Sequence, residues 1–189
     1  MSELALQGGF NSPPEDAARA FRSIMGAMAH PGRIFGIKGV NPPAPMSVAM
    51  GTIALVLCDA DTPLALMPSL DTVEVRSWIT FQTGAPITAA GRAMFALGQW
   101  REMLPLGRFN RGEAEYPDRS ATLIAECETL KNSGLALRGP GIRDVARLSL
   151  ANLPAFQENA AQFPLGVDFL FCSGTQIAGV PRTTRISEV

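Results

Sequence analysis

Apolar residues recur with two different periods along this chain, and the two periods alternate from end to end. That alternation constrains the fold more than any other feature of the sequence. Ala17, Phe21, Ile24, Met25 and Met28 recur at helical spacing. They follow Ser12-Pro13-Pro14-Glu15, which reads as a capping box with proline at the first helical position. His30-Pro31-Gly32 ends this first helix, because the residue before proline avoids the α region. A short strand is expected over Arg33 to Lys38. Met46 to Leu57 is apolar nearly all round, which fits a buried helix or a buried strand.

The same interleaving continues. Asp59-Ala60-Asp61-Thr62-Pro63 is a turn, and Leu64 to Met67 reads as a strand. Asp71-Thr72-Val73-Glu74 starts a second helix with Val75, Trp78 and Ile79 on one face, stopped by Thr83-Gly84-Ala85-Pro86. Ala93, Phe95 and Leu97 alternate as in a strand. Leu104 to Arg119 is the longest weakly structured stretch, and a loop that long is often functional. Ala121 to Glu128 alternates again, with Glu126 and Glu128 opposite Leu123, Ala125 and Cys127. Leu135 to Arg138 forms a further strand ending at Gly139-Pro140-Gly141. Asn152 caps a helix carrying Pro154, Phe156 and Ala160. An apolar strand over Val167 to Phe171 and a short last strand near Ile177 to Val180 complete the series. Strands and helices mixed in this way predict a layered α/β domain with a mostly covered, mixed sheet.

At 189 residues the chain makes one domain over 1–189, which buries roughly 70% of the surface its unfolded form exposes and needs no staple. A net charge of −1, with no basic tract, argues against nucleic acid as a partner. The three cysteines are far apart, and an odd number fits buried thiols in a reducing cytoplasm better than a disulfide framework. Met1 to Phe10 does not read as a signal peptide, and the longest apolar run, about Val48 to Cys58, is short of the ~20 residues a membrane span takes.

His30 is the single histidine, so no two-histidine metal motif exists, and no metal is expected. Its place at a helix end suits either a capping role or a functional one. Phosphate loops of the G-x-x-x-x-G-K-[ST] and G-x-G-x-x-G types are absent, as is the G-x-S-x-G elbow. Of 16 basic residues only Lys38 and Lys131 are lysines. Arginine forks suit carboxylate and phosphate, though a genome biased toward arginine codons gives the same composition.

Two segments are candidates for holding an anion. In Arg138-Gly139-Pro140-Gly141-Ile142-Arg143 the glycines Gly139 and Gly141 free backbone N–H groups to face an anion flanked by guanidinium groups; a tight turn explains them as well. Pro181-Arg182-Thr183-Thr184-Arg185 gathers two guanidinium groups around the hydroxyls of Thr183 and Thr184, which fits a phosphate or phosphonate and equally a polar strand end. Asp168 lies within an apolar strand, where a carboxylate must be paired or hydrogen-bonded; a structural pair, for which an arginine is one candidate partner, fits better than catalysis.

At these segments the sequence resembles the PhnH family, the H subunit of carbon–phosphorus lyase. The resembling motifs are Phe21-Arg22-x-x-Met25-x-Ala27-Met28-x-x-Pro31-Gly32, Asp59 to Pro63, Phe81-Gln82-Thr83-Gly84-Ala85-Pro86 and Ser120 to Ile124. Gly139 to Ile142, Phe163-Pro164-Leu165-Gly166-Val167-Asp168 and Pro181 to Thr184 complete them, in family order over nearly the whole chain.

The resemblance implies a three-layer α/β/α sandwich similar to pyridoxal-phosphate transferases but without that cofactor. It implies a homodimer in isolation, and assembly with the G, I and J subunits in the cytoplasm. The assembly takes part in forming α-D-ribose 1-methylphosphonate 5-triphosphate from ATP and methylphosphonate, displacing adenine, so activity is expected only within the complex. The family carries over no catalytic residue, and a phosphonate or a nucleotide is the ligand to consider at Arg138, Gly139, Gly141, Arg182, Thr183 and Thr184. At Gln82 the family often has histidine. Glutamine does not titrate near neutral pH, so no acid–base role is expected there. A structural adaptor is the alternative. A stand-alone phosphotransfer enzyme, or a pyridoxal-phosphate enzyme using Lys38 or Lys131, is further away.

Overall fold

The computed structural model describes residues 7–189. The N-terminal stretch read above as lacking a signal peptide falls partly outside the described residues. Helix α1 spans Pro13–Ala29, α2 Val48–Leu57, α3 Val73–Thr83 and α4 Leu153–Ala160. The strands are β1 Phe35–Gly36, β2 Leu64–Leu66, β3 Phe95–Gln99, β4 Thr122–Glu126, β5 Leu135–Arg138, β6 Ala146–Leu148, β7 Asp168–Ser173, β8 Gln176–Val180 and β9 Arg185–Ser187.

Six strands form one mixed sheet in the order β1-β8-β7-β4-β3-β2. Strands β2, β3, β4 and β7 are parallel neighbours. Strand β8 turns back along β7 through Gly174 and Thr175, and β1 runs against β8. The central strands are covered on both faces, so successive side chains enter two different cores. Leu97, Ile124, Leu170, Cys172 and Ile177 face α1, α2 and α3. Ala96, Leu123, Ala125, Phe169, Phe171, Ala178 and Val180 face the other way, against Phe156 of α4 and a separate three-stranded sheet. That sheet is antiparallel, ordered β6-β5-β9, and contributes Leu137, Leu148 and Ile186.

The second core is built around aromatic rings. Trp100 stacks on Phe156 with centroids 5.1 Å apart and meets Phe169 and Phe171 edge-on. Such pairs add about 0.5–1.5 kcal/mol each beyond burial of their area. The Trp100 indole N–H donates to the Ala151 carbonyl at 3.1 Å, so its polar atom is satisfied inside the core.

Most helix expectations hold. Val75, Trp78 and Ile79 are the buried face of α3, Thr72 caps it by accepting from the Val75 N–H, and Gly84 ends it at φ 72°. Met46 to Leu57 resolves as helix from Val48, with Ser47 accepting from the Met50 N–H. Leu104 to Arg119 holds only short 3₁₀ turns.

Two readings of α1 are corrected. The Ser12 side chain makes no capping hydrogen bond; its backbone N–H instead donates to Asp16 Oδ2 at 3.0 Å. The carboxylate one residue further on takes the role assigned to Glu15. The buried stripe is also shifted. Ala20, Ile24 and Ala27 are buried, whereas Phe21 and Met25 are about half exposed, at 46% and 51%. The cause is close packing. Helix α1 lies so near β8 that a Cβ on Gly179 would come within 2.5 Å of the Ala27 carbonyl oxygen. The face carrying Ala20, Ile24 and Ala27 meets the sheet, and Phe21 and Met25 are turned outward.

Asn152 occupies the N-cap position of α4 in the left-handed region, at φ 68°, without a side-chain cap. Strands β6 and β9, and hence the small sheet, were not anticipated: each is three residues long and includes an arginine, Arg147 or Arg185, so neither shows the apolar run that marks the equally short β2.

Candidate functional site

The two sequence segments proposed to hold an anion meet in space. Strand β5 leads into Gly139, and β9 follows the turn from Pro181 to Thr184. The strands pair with Leu137 opposite Ile186 and Arg138 opposite Arg185. Gly139 has φ 141°, and a Cβ there would lie 3.0 Å from the Thr183 carbonyl oxygen, so a side chain would push the two turns apart. The result is a cavity of about 580 Å³ lined by Arg138, Gly139, Phe163, Arg182, Thr183 and Arg185, among others. It is of ordinary ligand-pocket size.

The residues named from sequence divide into three groups. Arg138, Gly139, Arg182 and Thr183 line this cavity. Gly141 does not; it faces a second cavity of about 570 Å³ on the other side of the turn, with His30, Arg33, Arg143 and Arg147. Thr184 is buried beneath the turn, and its hydroxyl has no hydrogen-bond partner among the described residues.

Arg182 has no donor left for a ligand. Its five N–H groups meet five acceptors: both oxygens of Asp168, the Ser120 hydroxyl, the Pro117 carbonyl at 2.7 Å and the Pro164 carbonyl at 3.5 Å. This is the partner expected for Asp168, and it is structural. It ties β7 and the turn after β8 to the loop before β4. Arg138 and Arg185 differ. Both are exposed, and among the described residues neither makes a side-chain hydrogen bond or ion pair. No Asp or Glu lines the cavity.

A second crevice lies at the carboxyl ends of β3 and β4, where parallel sheets commonly bind ligands. It measures about 540 Å³ and is lined by Gln99, Trp100, Arg101, Glu126, Cys127 and Glu128 among others. Glu126 was read from sequence as a polar-face residue, but it is partly buried and joins two elements. It accepts from the Ser47 hydroxyl at 2.5 Å and from the Gly174 N–H at 3.3 Å. Burial pushes its carboxyl above the usual range, against the opposing effect of these hydrogen bonds. The neighbouring Cys127 thiol is pushed up to about 12 by burial and by Glu126. Two carboxylates and a protonated thiol beside one arginine make this crevice unfavourable for a phosphoryl group. Only a contact across 79 residues of sequence, Ser47 to Glu126, reveals it.

Gln82 sits near the end of α3 against Gly9, where its side-chain oxygen would be 2.7 Å from an added Cβ. Among the described residues no helix is long and apolar enough to cross a membrane.

Comparison with known proteins gives these features a family. The family model described as bacterial phosphonate metabolism protein (PhnH) matches residues 8–187. The chain is 37% identical over 188 residues, 95% of it and 94% of the relative, to the protein of Rhizobium meliloti (strain 1021) named alpha-D-ribose 1-methylphosphonate 5-triphosphate synthase subunit PhnH. It is 28% identical over 174 residues, 89% of it and 84% of the relative, to the putative C-P lyase subunit protein HtxG of Stutzerimonas stutzeri. With the match running across both arginine-bearing turns and the whole of the central sheet, the chain belongs to the PhnH family of bacterial phosphonate metabolism proteins.

Proposed function

We propose that this chain serves as a subunit of the carbon–phosphorus lyase machinery and contributes there to forming α-D-ribose 1-methylphosphonate 5-triphosphate. The observation that carries this reading is the end-to-end similarity to a relative named as a subunit of that synthase. The transferase chemistry belongs to the assembly, with the G, I and J subunits as partners and the cytoplasm as its place. A homodimer is the form proposed for the isolated chain. The exposed Phe21 and Met25 on α1 are available to a partner surface. The proposed three-layer relation to pyridoxal-phosphate transferases draws support from the two apolar cores on either face of the sheet.

Within the subunit, the ligand-contacting region is the cavity between the Gly139 and Pro181–Thr184 turns. Arg182 holds that region in shape, and Arg138, Gly139 and Thr183 face its interior.

The test is a tagged pull-down from cells of the source organism grown on methylphosphonate as sole phosphorus source. Recovery of G, I and J partners in fixed ratio is expected. Recovery of the chain alone, with those partners expressed, overturns the reading. Replacing Arg138 then separates a ligand-contacting subunit from a structural adaptor: an adaptor keeps the activity of the complex, and a ligand-contacting subunit assembles but loses it.

A further inference from the structure

We propose that Arg138 and Arg185 form a cross-strand clamp for the phosphoryl groups of a nucleotide, with Phe163 as the platform for its base. The inference rests on the ligand-contacting region proposed above and names what it takes.

Arg138 and Arg185 are directly opposite each other on β5 and β9. Residues in that relation point to the same face with Cβ atoms about 4.5–5.5 Å apart, and like charges so placed disfavour the pairing. No carboxylate relieves the repulsion: neither arginine has an ion pair among the described residues, and no acidic side chain lines the cavity. An anion bridging the two guanidinium groups turns repulsion into paired, charge-assisted hydrogen bonds. Arg182 contributes no net charge, since Asp168 neutralises it. The Thr183 hydroxyl, exposed and without a hydrogen bond among the described residues, is available beside the clamp.

A lone phosphate or small phosphonate would not fill the space. The cavity of about 580 Å³ continues past the arginines to Ala160 and Phe163 near the end of α4. Phe163 lines that end of the cavity and is 60% exposed, so its ring is accessible to a ligand there. Guanidinium groups at one end and an exposed aromatic side chain at the other match a ligand with phosphoryl groups at one end and a flat ring at the other. Stacking on an aromatic side chain suits any nucleobase.

The experiment is isothermal titration calorimetry with ATP, inorganic tripolyphosphate and adenosine, on the purified full chain and on the assembled preparation. ATP is expected to bind more tightly than either fragment. Arg138→Gln and Arg185→Gln are each expected to weaken ATP by about tenfold or more, as loss of a charge-assisted contact does. Phe163→Ala is expected to weaken ATP severalfold and leave tripolyphosphate unchanged. Both arginines are exposed and removing either charge relieves their repulsion, so the variants should unfold at or slightly above the wild-type temperature, and a thermal melt checks this. Absence of ATP binding in both preparations, or binding that both arginine variants leave within twofold, overturns the clamp. Tripolyphosphate binding as tightly as ATP, unaffected by Phe163→Ala, overturns the platform. A chain that recovers its partner subunits yet binds no ATP defeats this inference alone, whereas one that binds ATP without partners defeats the subunit reading alone.

Discussion

The Arg182 backbone N–H donates to Asp168 Oδ1 at 2.7 Å while its guanidinium group grips the same carboxylate. One residue thus uses main chain and side chain together to lock the turn after β8 onto the first residue of β7. Both side chains are largely buried, at 12% and 18% exposure. The arginine that the sequence offers as a phosphate ligand therefore holds the wall of the cavity in shape, and Arg138, Thr183 and Arg185 beside it are left to face the cavity.

Removing one member of this pair should cost stability. Arg182→Ala leaves the Asp168 carboxylate and the Ser120 hydroxyl without their main partner, and a loss of about 3 kcal/mol is expected in urea unfolding. Arg182→Lys should recover only part, because a point charge cannot reach Asp168, Ser120 and Pro117 at once. The double variant Arg182→Ala with Asp168→Ala should be less destabilised than the sum of the two single variants. Additive losses would show that the pair is not coupled.

Glu126 makes stability depend on pH with a definite sign. Burial raises its carboxyl in the folded state, so on raising the pH the unfolded chain loses this proton first. The folded state then binds more protons, and this group's contribution to stability falls as pH rises from the ordinary carboxylate range, about 4.3, through the raised folded value. Glu126→Gln keeps an acceptor for the Gly174 N–H and a partner for Ser47 but cannot ionise. Its melting temperature should gain on wild type as pH is raised through that interval and stay level above it. A constant difference at all pH values would exclude the linkage.

Close packing of α1 on β8 makes Gly179 sensitive to a single methyl group. In Gly179→Ala the new Cβ would meet the Ala27 carbonyl oxygen at 2.5 Å and the Met28 nitrogen at 2.8 Å, all backbone atoms that cannot rotate away. A loss of about 2 kcal/mol or more is expected from denaturant unfolding. Gly36→Ala is the control. Nothing lies within 4 Å of its Cβ, so its change should stay within about 0.5 kcal/mol. Equal effects at the two positions would contradict the packing argument.

Periodicity determined a good deal by itself. The buried triad Val75, Trp78 and Ile79, the helix start at Thr72 and the strands β3, β4 and β7 all follow from local chemistry, because capping and alternation act over a few residues. The need of Asp168 for a partner was also legible, since a carboxylate in an apolar strand demands one. Distance in sequence hid the rest. The contact that joins Ser47 to Glu126, and the strand pairing that sets Arg138 opposite Arg185, link segments dozens of residues apart. Phe21 and Met25 looked like core because spacing records which residues share a helix face, not how near the sheet comes. Gly179 lets the helix backbone at Ala27 and Met28 come close to the sheet, and the face that meets it carries Ala20, Ile24 and Ala27. Likewise Arg182 and Arg185 lie in one five-residue segment and look alike as charges. Only the fold, by placing Asp168, Ser120 and Pro117 around the first and a second arginine across from the other, makes one a structural tie and leaves the other exposed at the cavity.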